Sequence, residues 1–472
     1  MREDIVSVSV TALARSSAPP FHARRLAYEV LTRVEEQRAY AGLLLDAKLD
    51  KAGLSPQDRA LATELTYGVL RWQGRLDYLL AAIVDRPWEQ VDPVLRRLLR
   101  LGAYQILFLT RIPAYAAVHA TVALTHDMIR SPVKRGATGF TNAILRRLLA
   151  QYDTIAFPDP SADPVGALAT RWSHPAWLVR RWLVRLGPTE TEALLRADND
   201  APALSVVVNR LKSRPEAVEA RLTTIAGSVT PGRFVQGTFH LTDGAEVLRD
   251  PAFADGWYFP MDEAAALPVV LLDPRPGDVV LDACAGGGGK TALILGQLAG
   301  IGRVIALDPS ARAHRRLRAA AARLGLNRVI QIQADARQAS RLLTCQIDKA
   351  LVDAPCSGLG TLRRHPERKW QQSEAGLASL AHLQLELLHG VAPLIRPGGI
   401  LVYSTCSLES EETDAVIEGC LHDFPDFAVD EAPAGLPATV ATLIDSQGVL
   451  RTWPHRCGLD GFFAIRLRRR NR

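Results

Sequence analysis

The spacing of apolar residues changes along the chain and predicts regions of different structure. In residues 21–150, apolar side chains such as Leu26, Val30 and Val34 recur at helical intervals, and we expect five to seven helices there. A segment rich in Pro, Ala and Asp at residues 157–164 marks a boundary. The first region is therefore predicted to be an all-α domain.

Residues 151–255 mix helical and alternating patterns, which predicts a small α+β module. The stretches LSVVVNR and SVTPGRFVQGTFHLT have the pattern of strands, and Pro215–Thr224 that of a helix. Upstream, WSHPAWLVRRWLVRLG places Trp177 and Trp182 on a helix. We expect these tryptophans to belong to a core stripe rather than to a platform for stacking bases.

Residues 256–472 alternate apolar strands with amphipathic helices, beginning with DVVLDACAGGGGKTALILGQLA and RVIALDPSARAHRRLRAAAARLG. This alternation predicts an α/β Rossmann-like domain with a parallel sheet, whose ligands bind beyond the carboxyl ends of the strands. The fold class is therefore multidomain: an all-α N-terminal domain, a small α+β linker module and a C-terminal α/β domain. Residues 1–20 are expected to form a disordered tail.

Composition narrows the function classes. The 472 residues are 48% hydrophobic and 22% charged, and the net charge of +6 supports a nucleic-acid partner only weakly. None of the six cysteines forms a CxxC pair, which argues against a zinc site, and their scatter argues against a disulfide framework. Since no apolar run reaches membrane length, we expect a cytoplasmic protein with free thiols, no metal and no membrane contact.

A glycine-rich turn follows the first strand of the α/β domain, and its spacing disfavours the common phosphate loops. A P-loop requires glycine where this chain has Cys284, and the dinucleotide fingerprint requires glycine where it has Thr291. The glycines still allow a ligand to approach the backbone closely. The turn therefore predicts a bound ligand without a phosphate cradle.

Acidic residues end the next two strands and indicate what that ligand is. Asp308 can accept hydrogen bonds from ribose hydroxyls, and Asp335 can accept them from an adenine amino group. Either aspartate alone could equally be a helix N-cap. Together with the glycine turn they favour an adenosine ligand that lacks phosphates, of which S-adenosylmethionine is the common example.

Two cysteines follow apolar strands at the same predicted edge, Cys356 in ALVDAPCSGLG and Cys406 in LVYSTCSLESEE. A thiolate beside a methyl donor suits a target carbon that is a poor nucleophile, such as C5 of cytosine. Addition of the thiolate to C6 makes C5 nucleophilic. The arginines of RRHPERKW could lower the pKa of the reacting thiol. This chemistry does not choose between the two cysteines.

The motifs DACAGGGGKT, VDAPCSGLGTLRRHPERKW, YSTCSLESEE and RTWPHRCGLDGFF together resemble those of the bacterial RNA cytosine-C5 methyltransferases of the RsmB (Fmu or Sun) type. These enzymes act on 16S ribosomal RNA of the small subunit. RIPAYAAVHATV and FTNAILRR resemble the NusB-like domain that they carry in front. The resemblance covers residues 21–467 and implies a class I methyltransferase domain, S-adenosylmethionine as cofactor and 16S ribosomal RNA, free or in an early particle, as partner.

Position by position, the resemblance implies a role for each site residue. Cys406 is the nucleophile, Cys356 assists product release, and Asp353 touches both cofactor and cytosine. DNA cytosine methyltransferases instead place the nucleophile in the Pro-Cys motif. Asp308 binds ribose and Asp335 adenine, and the methionine end of the cofactor lies along Cys284, Ala285, Gly286, Gly287, Gly288, Gly289 and Lys290.

Two departures from the family pattern concern the cofactor and substrate contacts. Gly286–Gly287 stands where the family usually has a proline, which makes the loop less preorganised. Met261 stands where the family commonly has glutamine. For RNA binding we expect phosphate contacts from the RRHPERK segment, through Arg363, Arg364 and Lys369.

Other functions remain open from the sequence. A non-catalytic RNA-binding or assembly factor is disfavoured because both cysteines are present, and a transfer RNA methyltransferase is disfavoured by the NusB-like front end. We expect the protein to be a monomer.

Overall fold

The structure, a computed structural model, describes residues 22–129, 134–242, 244–430, 433 and 435–471. The expected disordered tail, residues 1–20, lies outside the described residues. One structural unit ends at Phe157 and a second begins at Pro158. Within the described ranges, no helix is both long enough and apolar enough to cross a membrane.

The first unit is helical over its described residues, as the apolar spacing predicts. Two helices begin at a capping side chain followed by proline: Ser55 accepts a hydrogen bond from the Asp58 amide, and Asp92 accepts one from the Val94 amide. Leucines at helical spacing, including Leu65 and Leu98, form the core. The α-helices are α1 His22–Gln37, α2 Ala41–Leu49, α3 Pro56–Ala81, α4 Pro93–Phe108, α5 Ala114–Met128 and α6 Lys134–Gln151.

The second unit opens with two helices, α7 Pro164–Trp172 and α8 Ala176–Ala197. α8 changes direction at Gly187, which has non-helical backbone angles and precedes Pro188. Trp182 is buried in the main core of this unit, and Trp177 packs against that core. The prediction that these tryptophans form a core stripe is confirmed.

A four-stranded antiparallel sheet follows, in the order β2-β3-β1-β4. Three of its strands lie where the sequence predicts them. The fourth pairs with β1 but comes from a segment that the sequence assigned to the next domain, because pairing across 50 residues leaves no local signal. The elements are β1 Leu204–Val208, α9 Pro215–Thr223, β2 Ser228–Pro231, β3 Thr238–Thr242, α10 Pro251–Ala254 and β4 Tyr258–Pro260.

The largest element of the second unit is an eight-stranded sheet in the order β10-β12-β9-β8-β5-β6-β7, with β11 paired to β12. Pairs β5–β6, β5–β8, β6–β7 and β8–β9 are parallel, as predicted. The strands are β5 Val279–Asp282, β6 Arg303–Asp308, β7 Val329–Gln333, β8 Ile347–Asp353, β9 Ile395–Thr405, β10 Phe427–Val429, β11 Val449–Thr452 and β12 Phe462–Arg469.

The predicted parallel sheet is extended at one edge by antiparallel strands. β12 runs antiparallel to β9, β10 and β11, which makes the sheet mixed. Antiparallel neighbours can be joined by a short connection, and β11 and β12 are separated by residues 453–461 only. The Rossmann-like class is unaffected, since the parallel strands that carry the predicted ligand edge are in place.

Apolar residues cover both faces of this sheet, as expected for strands with helices on each side. Along β9, Leu401 and Tyr403 pack into one core, and Ile400 and Val402 pack into the other. The second core also takes Val207 of the four-stranded sheet. The helices of this region are α11 Glu263–Leu272, α12 Gly289–Gln297, α13 Ala311–Leu324, α14 Ala339–Leu342, α15 Arg368–Gln371, α16 Glu374–Val391, α17 Asp414–Asp423, α18 Ala438–Ala441 and α19 Pro454–Cys457.

Candidate active site

The two motif cysteines meet at the carboxyl edge of the eight-stranded sheet. β8 and β9 are parallel neighbours with Asp353 opposite Ser404, and the chain continues from each strand into a cysteine loop. The Sγ atoms of Cys356 and Cys406 lie 3.1 Å apart. The sequence predicts both cysteines at strand ends, and the structure brings them together in one site.

The two thiols do not have equivalent surroundings. A hydrogen bond to Cys406 and burial raise the pKa of Cys356 well above its ordinary value. Arg368, one of the arginines expected to act on the reacting thiol, donates to the main-chain carbonyls of Cys356 (3.1 Å) and Ser357 (2.8 Å). Cys356 is therefore held as a protonated thiol that can donate a hydrogen bond to the sulfur of Cys406.

Lys290 supplies the positive charge of the site. Its Nζ lies 2.7 Å from Oδ2 of Asp353, whose Oδ1 accepts a hydrogen bond of 2.8 Å from Ser404. Burial alone would lower the pKa of Lys290, but the negative charges of Asp353 and of a thiolate at Cys406 raise it. The lysine ammonium can thus stabilise both a carboxylate and a thiolate.

The glycine turn between β5 and α12 is shaped for close approach by a ligand. Gly286 and Gly288 have φ of +53° and +87°, which residues with a Cβ rarely adopt. A Cβ on Gly287 would meet no protein atom within 4 Å, so the space above the turn is open. By contrast Cys284 is packed against the core, and burial raises the pKa of its thiol, which leaves a small apolar side chain beneath the turn.

Both predicted nucleoside-binding aspartates are at this edge, with different partners. Asp308 ends β6 and accepts hydrogen bonds from the amides of Gly286 (3.0 Å) and Ser310 (2.8 Å). Asp335 caps a short helix and pairs with the guanidinium of Arg337 at 2.7 Å, and these hydrogen bonds lower its pKa. Asp308 thus joins the glycine turn to the next strand, whereas the carboxylate of Asp335 is ion-paired with Arg337.

Several residues that fix the site were not singled out from the sequence. Glu412 is buried and accepts hydrogen bonds from the Ser357 amide (2.8 Å) and from Gln384 (3.0 Å). The amide of Gly360 donates to the carbonyl of Cys406 at 2.9 Å, and a Cβ there would lie 2.0 Å from the carbonyl oxygen of Gly461. The available sequence signals for these two residues were the acidic run after Cys406, which contains Glu412, and the second glycine after Cys356, which is Gly360.

The three predicted RNA-binding residues are less available than expected. Arg364 bridges Asp262 and Asp460 at 2.6 and 2.7 Å, and Arg363 donates to the Gly458 carbonyl, although both arginines keep partial exposure. Lys369 is 1% exposed and donates to Asn199 at 3.3 Å. The prediction that Lys369 lies on an RNA-binding surface is therefore wrong, since its ammonium is buried.

Met261, which replaces the glutamine common in the resembled family, packs against the glycine turn. Its Cε would lie 2.6 Å from a Cβ placed on Gly289. Met261 also belongs to the same apolar cluster as the half-buried Cys406. Met261 thus contributes an apolar side chain beside the glycine turn.

Family models match three successive parts of the chain. Residues 22–150 match the NusB family, and residues 174–248 match the ferredoxin-like domain of RsmF/B-like methyltransferases. Residues 269–468 match the 16S rRNA methyltransferase RsmB/F model. These three matches correspond to the helical unit, the four-stranded module and the eight-stranded domain.

Similar proteins span nearly the whole chain. A probable ribosomal RNA small subunit methyltransferase B of Bacillus subtilis is 36% identical over 95% of this chain and 98% of its own length. The ribosomal RNA small subunit methyltransferase B of Pseudomonas putida is 36% identical over 85% and 89%. The crystal structure of PH0851 matches with a TM-score of 0.81 and 27% identity over 96% of this chain and 100% of that chain. The chain belongs to the RsmB/F family of 16S ribosomal RNA methyltransferases.

Proposed function

We propose that this protein methylates C5 of one specific cytosine in 16S ribosomal RNA and that Cys406 bonds transiently to C6 of that base. The observation that carries the proposal is the pair of sulfurs 3.1 Å apart beside the Lys290–Asp353 ion pair, at the ligand edge of the sheet. The relatives named above as small-subunit methyltransferases support ribosomal RNA as the substrate.

The methyl donor is S-adenosylmethionine, and the residues at the sheet edge fit it. The open space above Gly287 admits a ligand against the main chain of residues 284–290. Asp308 and Asp335 are the acceptors for ribose hydroxyls and the adenine amino group. When bound, the cofactor supplies an electrophilic methyl group carried on a sulfonium.

A nucleophile in the protein is needed because C5 of cytosine is a weak nucleophile. Addition of a thiolate to C6 gives an enamine whose C5 accepts the methyl group. C5 then loses its proton to a base, the C5–C6 double bond reforms, and the electron pair of the C6–S bond returns to sulfur. The carboxylate of Asp353 can accept a hydrogen bond from the cytosine amino group during these steps.

Cys406 is the better candidate for that thiolate. Lys290 carries the positive charge that stabilises a thiolate at Cys406, whereas the raised pKa of Cys356 favours its thiol form. A protonated Cys356 can donate a hydrogen bond to the sulfur of Cys406 as it leaves C6. Cys356 thus assists release of the methylated base.

Substrate binding requires the target cytosine to be unpaired or flipped from its helix. Arg363 and Arg364 are the proposed phosphate contacts that remain, because each keeps partial exposure beside its protein partners. The helical unit and the four-stranded module would extend the RNA-binding surface.

The test of substrate and reaction together is bisulfite sequencing of total RNA from a strain that lacks this protein. We expect one 16S cytosine to lose its protection from deamination and to regain it with the wild-type gene but not with Cys406→Ala. Loss of protection in transfer RNA alone, or unchanged 16S RNA, would contradict the proposal.

A further inference from the structure

The two active-site cysteines are each followed directly by a serine, and the two serines touch. Ser357 and Ser407 are both fully buried, and their Oγ atoms lie 3.0 Å apart. The serine contact sits one residue from each sulfur of the thiol pair. It therefore joins the two cysteine loops at a point where a small shift would change the distance between the thiols.

Glu412 is hydrogen-bonded to Ser357 and so stabilises this contact. Its side chain is fully buried, and its Oε2 accepts a hydrogen bond from the Ser357 hydroxyl, while its Oε1 accepts hydrogen bonds from the Ser357 amide and from Gln384. A buried carboxylate is tolerated when donors surround it in this way. Glu412 follows β9 in the chain, so these bonds hold the Cys356 loop against the strand that carries Cys406.

Ser357 is the donor in both of its side-chain contacts, to Oε2 of Glu412 and to Oγ of Ser407. Its single hydroxyl proton is therefore shared between these two acceptors. The oxygen of Ser407 in turn accepts a hydrogen bond of 3.3 Å from the Glu409 amide. Ser407, Ser357 and Glu412 thus form one hydrogen-bonded group centred on the Ser357 hydroxyl, which we call the serine clamp.

Other side chains hold the main chain of the same loop. Gln384 donates to the Pro355 carbonyl at 3.0 Å, and Gln372 donates to the Ser357 carbonyl at 3.0 Å. Gln384 also contacts Glu412 and Tyr403, but it does not contact either serine hydroxyl in these bonds. The hydroxyl of Ser357 differs because it bonds both to Ser407 and to Glu412.

We propose that Ser357, Ser407 and Glu412 are positioning residues that hold the Cys356 thiol at the sulfur of Cys406 and thereby set the rate of product release. The proposal rests on the proposed function, because it needs a covalent bond between Cys406 and the base. Attack on C6 needs Cys406 and Lys290, whereas release also needs Cys356 in place. Loosening the clamp therefore slows release more than attack.

The variant that tests this is Ser357→Ala, which removes the shared hydroxyl and keeps the amide bond to Glu412. Ser407→Ala is the second variant, and it leaves Glu412 fully bonded. Ser205→Ala is the matched control, because Ser205 is also buried but bonds to His240 in the four-stranded module. Each protein is mixed with S-adenosylmethionine and an unmodified 16S RNA transcript, and two quantities are measured: the rate of first-turnover methylation and the fraction of protein in a denaturant-stable RNA adduct.

We expect both clamp variants to methylate in the first turnover at near the wild-type rate and to release product about tenfold more slowly, as for the loss of one hydrogen bond in the release step. Their adduct fraction should rise, while that of Ser205→Ala stays at the wild-type value. If the adduct fraction of the clamp variants equals that of wild type, whether or not activity and melting temperature fall, the clamp does not act in release. A parallel reaction with 5-fluorocytosine RNA separates failure of the clamp proposal from failure of the proposed function. If the wild-type protein forms no adduct with this RNA, the proposed function itself is overturned.

Discussion

Nζ of Lys290 lies 2.7 Å from Oδ2 of Asp353, and this ion pair joins the glycine turn to the strand that leads into the Cys356 loop. Both side chains are largely shielded from solvent, so the attraction between the two charges is screened less than at the surface. The pair places a cation at the end of the glycine turn, where its charge interacts with that of a thiolate at Cys406. The first prediction concerns this lysine.

Lys290→Met should reduce methyl transfer by about 100-fold, as does the loss of a preorganised charge that faces developing negative charge. Without the ammonium, Asp353 and the Cys406 thiolate are left unbalanced. The measurement is single-turnover methylation of a 16S RNA transcript. Lys349→Met is the control, because Lys349 lies on β8, the strand that ends at Asp353, but pairs with Asp278 at 3.2 Å. Equal rates in the two variants would contradict the role of Lys290.

Gly287→Ala tests whether the cofactor occupies the space above the glycine turn. The added methyl group meets no protein atom within 4 Å, so the melting temperature without cofactor should not change. The affinity for S-adenosylmethionine should fall about tenfold, because the methyl group takes up ligand space. Calorimetric titration measures this affinity. Gly139→Ala also adds a methyl group in open space, but in helix α6, and should leave the affinity unchanged. A Gly287→Ala protein that binds as tightly as wild type would place the cofactor elsewhere.

Lys369→Met tests whether the buried Lys369 stabilises the fold instead of binding RNA. The buried ammonium of Lys369 donates a hydrogen bond to Oδ1 of Asn199 at 3.3 Å, so removing it takes this donor from the amide oxygen and destabilises the fold. The loss of such a hydrogen bond costs about 1–3 kcal/mol. Thermal unfolding should show a clear loss of stability, whereas exposed Lys51→Met should show none. If Lys369→Met instead melts normally and binds RNA more weakly with a reduced salt dependence, the lysine contacts phosphate after all.

The raised pKa of the buried Asp282 carboxyl should make the stability of the ligand-free protein depend on pH. Burial raises the pKa of this carboxyl from 3.8 to about 6 in the folded protein. Protonation therefore favours the folded state: the stabilisation is complete below pH 3.8 and is lost as the pH rises through about 6. The difference corresponds to about 3 kcal/mol.

Asp282→Asn cannot lose this proton, so its stability relative to wild type should increase as the pH rises from 4 to 7.5. Thermal unfolding of both proteins across that range measures the effect. Asp153→Asn, at an exposed position, should track wild type at every pH. A constant difference between Asp282→Asn and wild type would show that the carboxyl does not titrate in this window.

Much of the site follows from short-range sequence patterns. An apolar strand followed directly by a polar tip encodes its own position in a parallel sheet, which is why Asp308, Asp353, Cys356 and Cys406 lie where they were expected. What depends on long-range pairing was not predictable. The partner of Lys369 is 170 residues away, β4 and β12 join their sheets across distant segments, and the Glu412 carboxylate lies in an acidic run that resembles a solvated helix start.

The central claim is that the sulfur of Cys406 bonds to C6 of a cytosine, and the direct measurement is the location of that bond. Wild-type protein is trapped on a 16S transcript containing 5-fluorocytosine with S-adenosylmethionine, digested with nuclease and trypsin, and the nucleotide-bearing peptide is sequenced by mass spectrometry. Trypsin separates the two candidates, because Arg363 lies between them. We expect the nucleotide on Cys406; a nucleotide on Cys356 would contradict the assignment.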